Sequence, residues 1–135
     1  MNIIKFIDLF LIASVNTSST GSNYYGTETI AISCSVTLTN VTIQIFVQTT
    51  VGATYYDIHN SFSTGVVSQS HTTGSGQIIY TWTIVPGQTV ACASATYSVA
   101  AQYNLVGTAQ INSVDTYIVT TTTSTGITTT FTGHF

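Results

Sequence analysis

Arginine is missing from the sequence, lysine occurs once, as Lys5, and charged residues of all kinds make up 4% of the chain. A soluble domain ordinarily devotes about a quarter of its residues to Asp, Glu, Lys and Arg. Neutralising a phosphate backbone takes a set of Lys and Arg contacts, so nucleic acid is excluded as a partner. No polybasic stretch exists to hold an anionic membrane surface. Sites built on an Arg clamp or a catalytic Lys are excluded with them. A single proline and ten glycines in 135 residues leave no room for collagen or a Pro-rich linker. Disorder is excluded too, because 44% hydrophobic residues and a formal net charge of −3 do not make the low-hydropathy, high-charge chain that stays unfolded. No window shows a helical period with caps.

What replaces charge is hydroxyl: 28 Thr and 15 Ser, helped by Asn, Gln and Tyr. Thr is β-branched and has a high strand propensity. Its hydroxyl wets a sheet face without charge. Length and composition together fit one globular domain.

The first fifteen residues differ from the rest. Met1–Val15 carries Lys5 in a short n-region, an apolar stretch Phe6–Ile12, and small residues at Ala13 and Ser14. That is the layout of a secretory signal peptide, with a cut after Val15 or within Asn16–Thr20. It is too short for a spanning helix, which needs about 20 apolar residues, so no membrane span is expected. Asp8 interrupts the apolar stretch, and the alternative is a retained apolar segment that docks into a neighbouring subunit. Residues 16–28 read as a Ser/Thr-rich lead-in, and 29–135 as the folded domain. Loss of the leader would leave only Glu28, Asp57 and Asp115 as charged side chains. Cys34 and Cys92 form an even pair, which in a secreted chain predicts one disulfide. Sequons stand at Asn16 and Asn40, the latter where a strand pattern breaks and a surface turn is expected.

Period-2 alternation runs through the remainder. From Thr29 to Thr39, Ile30, Ile32, Cys34, Val36 and Leu38 share one face; after Asn40 the phase restarts with Val41, Ile43, Ile45 and Val47. Thr54–His59 and Phe62–Ser70 read as short strands. Ile78, Tyr80, Trp82 and Ile84 make an inward face closed at Pro86-Gly87, and a longer aromatic face runs from Ala95 to Leu105. Asp115–Thr123 and Ile127–Phe135 read as a hairpin across Ser124-Thr125-Gly126. Eight or nine short strands at near-regular spacing predict an all-β, antiparallel β-sandwich. Trp82 sits on the inward phase and is expected in the core. Soluble proteins usually blunt sheet edges with Lys or Pro, and neither device is available here.

Little in the chain points to catalysis. Asp57 and His59 share a strand face, and a metal site with His71 is chemically permitted, but a solvated Asp-x-His is the commoner outcome. No Gly-x-Ser-x-Gly elbow exposes a nucleophile, and three acids are few for a paired-carboxylate glycosidase. No enzyme activity, metal or cofactor is expected. The aromatics say more. Tyr24, Tyr25, Phe46, Tyr55 and Phe62 lie at turns or outward phases; planar rings stack on sugar faces while amides and hydroxyls bond the sugar hydroxyls. Of the pair Tyr55-Tyr56, Tyr55 is expected to face out.

The run Tyr80-Thr81-Trp82-Thr83-Ile84-Val85-Pro86-Gly87-Gln88, followed by a Gly/Ala/Ser-rich strand, resembles small secreted cellulose- or chitin-binding modules, from Thr29 to the C-terminus. Those modules carry a W-x-(I/L)-x-x-G-(Q/A)-x-(I/V) run on a β-sandwich and are non-catalytic, but they usually show several exposed Trp. The resemblance implies a secreted, extracellular carbohydrate-binding domain for a neutral polysaccharide, with Tyr24, Tyr25, Phe46, Tyr55, Asp57 and His59 as candidate ligand contacts. The alternative is an extracellular filament or surface-layer subunit that self-associates through β-strand pairing.

Overall fold

The protein is described here by a computed structural model, over residues 13–93 and 95–135. Within them lie nine strands and one short 3-10 turn, Asn112–Val114. The strands are β1 (Ala13–Gly21), β2 (Tyr25–Cys34), β3 (Leu38–Gln48), β4 (Thr54–Asn60), β5 (Val67–Gly74), β6 (Gln77–Ile84), β7 (Thr96–Asn104), β8 (Thr116–Thr123) and β9 (Thr128–His134). All pair antiparallel, in a four-stranded sheet β1-β2-β7-β4 and a five-stranded sheet β5-β6-β3-β8-β9. The expected sandwich is what the chain forms.

Alternation explains the layers. Every second residue of β2, β3, β6 and β7 is buried, and these inner faces meet in one core. Trp82, Tyr80 and Tyr103 are its largest fully buried side chains. Each aromatic keeps its polar end bonded, as burial demands. Trp82 Nε1 donates to the His59 carbonyl at 3.1 Å, and the Tyr80 hydroxyl to the Gln102 carbonyl at 2.5 Å. Both bonds run from the five-stranded sheet to the four-stranded one.

Several boundaries differ from the sequence reading. The unbroken alternation from Thr29 to Thr39 conceals a crossing: β2 ends at Cys34 and β3 starts in the other sheet at Leu38. Alternation reports a buried face without saying which sheet it belongs to. The phase change near Asn40 is a β-bulge between Leu38 and Asn40, so Leu38 and Val41 are both buried. Asn40 is therefore a half-buried strand residue opposite Thr122, not a surface turn. Asn16 lies exposed in β1, opposite Ala31.

Residues 13–28, expected as the end of a leader and a lead-in, form β1 and the start of β2. As an edge strand, β1 buries only Ala13 and carries no hydrophobic period to betray it. Residues 1–12, most of the expected signal segment, lie outside the described residues. No described helix is long and apolar enough to cross a membrane. The β5–β6 hairpin has a two-residue turn. β5 runs to Gly74, and only Ser75 and Gly76, at φ 56° and 78°, make the turn. Two positive φ values are the mark of a type I′ turn, whose twist matches the strands.

Cys34 and Cys92 form the expected disulfide, with Cα atoms 5.1 Å apart. Cys92 lies in the β6–β7 connection, which Val90 ties to β3 through a bridge with Leu38, at 2.9 and 3.0 Å. The disulfide thus links β2 of one sheet to a segment paired with the other. It closes a sequence separation of 58 residues, for which chain entropy gives about 4 kcal/mol. Replacing both cysteines by serine should lower the unfolding free energy in urea melts by about that amount; an unchanged midpoint would show that the cross-link constrains nothing.

Candidate functional site

The outer face of the four-stranded sheet carries a groove of about 340 Å³. Its floor follows from register. Thr27 of β2 faces Gln102 of β7, and Tyr25 faces Asn104, all on the outward phase. Between them Gly26 pairs with Tyr103 on the inward phase. A Cβ at Gly26 would overlap the Tyr103 ring beneath it, so only glycine lets that ring lie directly under the floor. Tyr25 walls one side, 53% exposed, and Tyr56 the other, 62% exposed.

Tyr56 is placed by a bulge. Tyr55 faces Tyr103 and Asp57 faces Gln102, leaving Tyr56 as the extra residue of β4. The bulge turns Tyr56 to solvent and Tyr55 to the core. Tyr55 stacks on His71 with ring centroids 3.4 Å apart and leans on Tyr80. The expectation that Tyr55 faces out is therefore reversed. Phe46 is also corrected: it sits half-buried on β3, opposite Ile79 and Thr116, in the other sheet and away from the groove. Phe62 is buried, stacked on Tyr97. Tyr24 is 69% exposed in the turn before β2 but lies outside the lining.

Asp57 and His59 stand on β4 outside the lining and meet it through Gln102. His59 Nε2 lies 3.2 Å from Asp57 Oδ2 and 3.2 Å from Gln102 Oε1, while Asp57 Oδ1 accepts from the Ile58 amide at 2.8 Å. His71 is committed to Tyr55, and no cluster of three metal-ligating side chains occurs among the described residues. Of the expected contacts, Tyr25 lines the groove, and Asp57 and His59 pair with each other on β4. Thr27, Tyr56, Gln102 and Asn104 were missed. Outward phase would have identified Thr27, Gln102 and Asn104; the bulge that exposes Tyr56 has no signature in the sequence.

Beneath the floor lies a feature the composition hid. Two of the few acids, Glu28 and Asp115, are fully buried. Asp115 is well partnered: it accepts from the Gln48 amide at 2.8 Å and from Gln110 Nε2 at 2.9 and 3.1 Å. Glu28 is not. Neither of its oxygens meets a donor, and its polar neighbours are the Asp115 carboxylate and the Tyr103 hydroxyl. With no Lys or Arg among residues 13–135, no ion pair can offset a second buried charge. Burial first, and the adjacent Asp115 second, push the Glu28 carboxyl up to about 11. Burial and the neighbouring carboxylate thus favour the neutral acid at Glu28, as expected when one acid of a close pair stays protonated. Burial likewise raises the Tyr103 hydroxyl. A cavity of about 100 Å³ adjoins the groove beyond Tyr25 and Gly26 and reaches Gln110 and Asn112.

No protein-family model matches the chain, and no curated protein matches it. Solved structures do match in fold. A variant of the major pilin subunit of Bacillus cereus aligns with a TM-score of 0.55 at 7% identity, covering 90% of this chain and 38% of that one. A cohesin module from a Clostridium perfringens family 33 glycoside hydrolase aligns with a TM-score of 0.53 at 10% identity, covering 92% and 96%. The chain thus spans well under half of the pilin subunit and nearly all of the cohesin module. At these identities the likeness is one of β-sandwich fold.

The buried acid pair has a sign that can be measured. Glu28 holds its proton in the folded state and releases it in the unfolded state near pH 4.5. Folding therefore takes up a proton, and this group's stability contribution is full below that pH and declines as pH rises toward about 11. The decline approaches about 1.4 kcal/mol per pH unit. Glu28→Gln, which is neutral at every pH, should flatten urea-derived stability between pH 5 and 9. An equal slope in wild type and variant would show that Glu28 is ionised in the fold.

Proposed function

We propose that the chain is a non-catalytic glycan-binding domain that takes a neutral polysaccharide into the Tyr25–Tyr56 groove. The observation carrying this reading is the pairing of two exposed tyrosine rings across a floor of one hydroxyl and two amide side chains. Sugars present apolar C–H faces edged by hydroxyls. Rings cover the former, and Thr27, Gln102 and Asn104 bond the latter. An anionic glycan has no cation to meet, since Lys and Arg are absent from residues 13–135. Asp57 and His59 extend the polar rim by one more sugar-sized step. The disulfide fits an oxidising compartment, in keeping with a secreted, extracellular protein.

The second reading, a subunit that assembles through strand pairing, draws its support from the sheet edges and is independent of the groove. The two readings can hold together, because edge and groove lie in different sheets.

Retention on insoluble cellulose and chitin, with affinity electrophoresis in soluble neutral glucans, tests the groove. Tyr56→Ala should weaken binding about tenfold or more, as expected for a lost stacking ring with its buried area. Phe46→Ala, altered on the opposite sheet, should bind like wild type. Retention on none of these polysaccharides, or equal binding by Tyr56→Ala, would overturn the reading.

A further inference from the structure

Among the described residues, the outer edge of β9 meets no other strand. In the β8–β9 hairpin the Thr123 amide donates to the Ile127 carbonyl at 2.9 Å, and the Phe135 amide to the Asp115 carbonyl at 3.1 Å. The register between the two strands has no irregularity. Antiparallel pairs alternate between bonded and non-bonded, so the odd-numbered residues from 127 to 135 turn their backbone groups toward β8. Thr128, Thr130, Thr132 and His134 turn theirs outward, where no described strand meets them.

Two of the other edges are tied to each other. At the β4–β5 corner, Gln69 Nε2 donates to the Ile58 carbonyl at 3.2 Å, and Asn60 Nδ2 to Gln69 Oε1 at 2.8 Å, so side chains tie these two edges to each other. β1 follows directly on residues outside the description. β9 also lacks every usual deterrent: no charged side chain, no proline, no bulge.

From this the geometry points to a second copy of the same chain as the partner of β9, paired antiparallel about a two-fold axis through Phe131. The two five-stranded sheets then become one ten-stranded sheet. Thr130 faces Thr132 of the other copy, Thr128 faces His134, and Phe131 faces Phe131. Thr–Thr and aromatic–aromatic pairs are favourable across strands, and like charges directly opposite are what forbids self-pairing. Identical strands place identical residues near each other, so a neutral strand is the kind that tolerates its own copy. Nor does the rest of the surface object. Glu28 and Asp115 are buried, and Asp57 lies on the other sheet. A charged partner strand would find nothing here to complement it. Phe131, half-buried at the rim of the core, gains a second ring to cover its exposed flank.

Sedimentation velocity of the purified protein over a hundredfold concentration range tests this pairing. Wild type should show a concentration-dependent dimer. Thr130→Lys sets a charge near the axis, and Thr130→Pro removes an outward amide that serves no bond to β8. Each should raise the dimer dissociation constant at least tenfold while leaving far-ultraviolet circular dichroism unchanged. Thr17→Lys, the matching change on β1, should leave the dimer intact. Three results would overturn the proposal: a monomer at every concentration, a dimer indifferent to Thr130→Lys, or a dimer lost equally in Thr17→Lys. Tyr56→Ala should dimerise like wild type, which separates this result from any failure of the glycan reading.

Discussion

Two carboxyl groups are buried against each other with no lysine or arginine among residues 13–135 to pair with them, and the end of the sandwich that carries the groove is built around that fact. Glu28 enters from the four-stranded sheet, and Asp115 from the residue preceding β8 of the five-stranded sheet. Ion pairing being unavailable among the described residues, burial and the adjacent carboxylate hold Glu28 protonated, and amides from Gln48 and Gln110 bond Asp115. Each of these groups comes from a different segment. The pair therefore fixes how the two sheets sit at the end of the sandwich that carries the groove. Tyr103 lies over it, Gly26 lies over Tyr103, and the groove floor lies over Gly26. Asp115, bonded to Gln48 and Gln110, ties these segments together beneath the floor, and a stacking site needs rings held at a fixed separation.

The same scarcity of charge shapes the exterior. Hydroxyls and amides form the outward rows of both sheets. Across the five-stranded sheet, Thr130, Thr120, Thr42, Thr83 and Ser68 stand in a single cross-strand row. Such a surface offers neutral hydrogen bonding over a wide area and repels nothing. That is favourable for a neutral polysaccharide on one face and for a like strand at one edge. It also removes the common means of keeping strand edges apart.

The sandwich was legible because half-buried strands print a period of two, and that period is strong in β2, β3, β6 and β7. The core position of Trp82 and the disulfide followed from the same phase and from cysteine arithmetic. Illegible parts share a cause: they depend on contacts that alternation does not encode. β1 has almost no buried face, so its Ser and Thr residues looked like a lead-in. The bulge in β4 inverts the parity of one residue and exchanges Tyr55 for Tyr56 as the outward ring. Glu28 lies in phase with Ile30 and Ile32, but it was read as the end of the lead-in, and nothing local to an acid shows its partner 87 positions away. The outward placement of Tyr25, Asp57 and His59 was legible from the strand pattern; Phe46 satisfied the same rule on the other sheet.

The most direct test of the central claim is a backbone-amide NMR titration of the protein with cello- and chito-oligosaccharides. If the groove binds glycan, saturable shift changes cluster at Tyr25–Thr27, Tyr56–Asp57 and Gln102–Asn104, and the row Thr42, Thr83 and Thr120 on the opposite sheet stays unperturbed. Saturable changes centred on that opposite row, or none anywhere at millimolar oligosaccharide, would contradict the account.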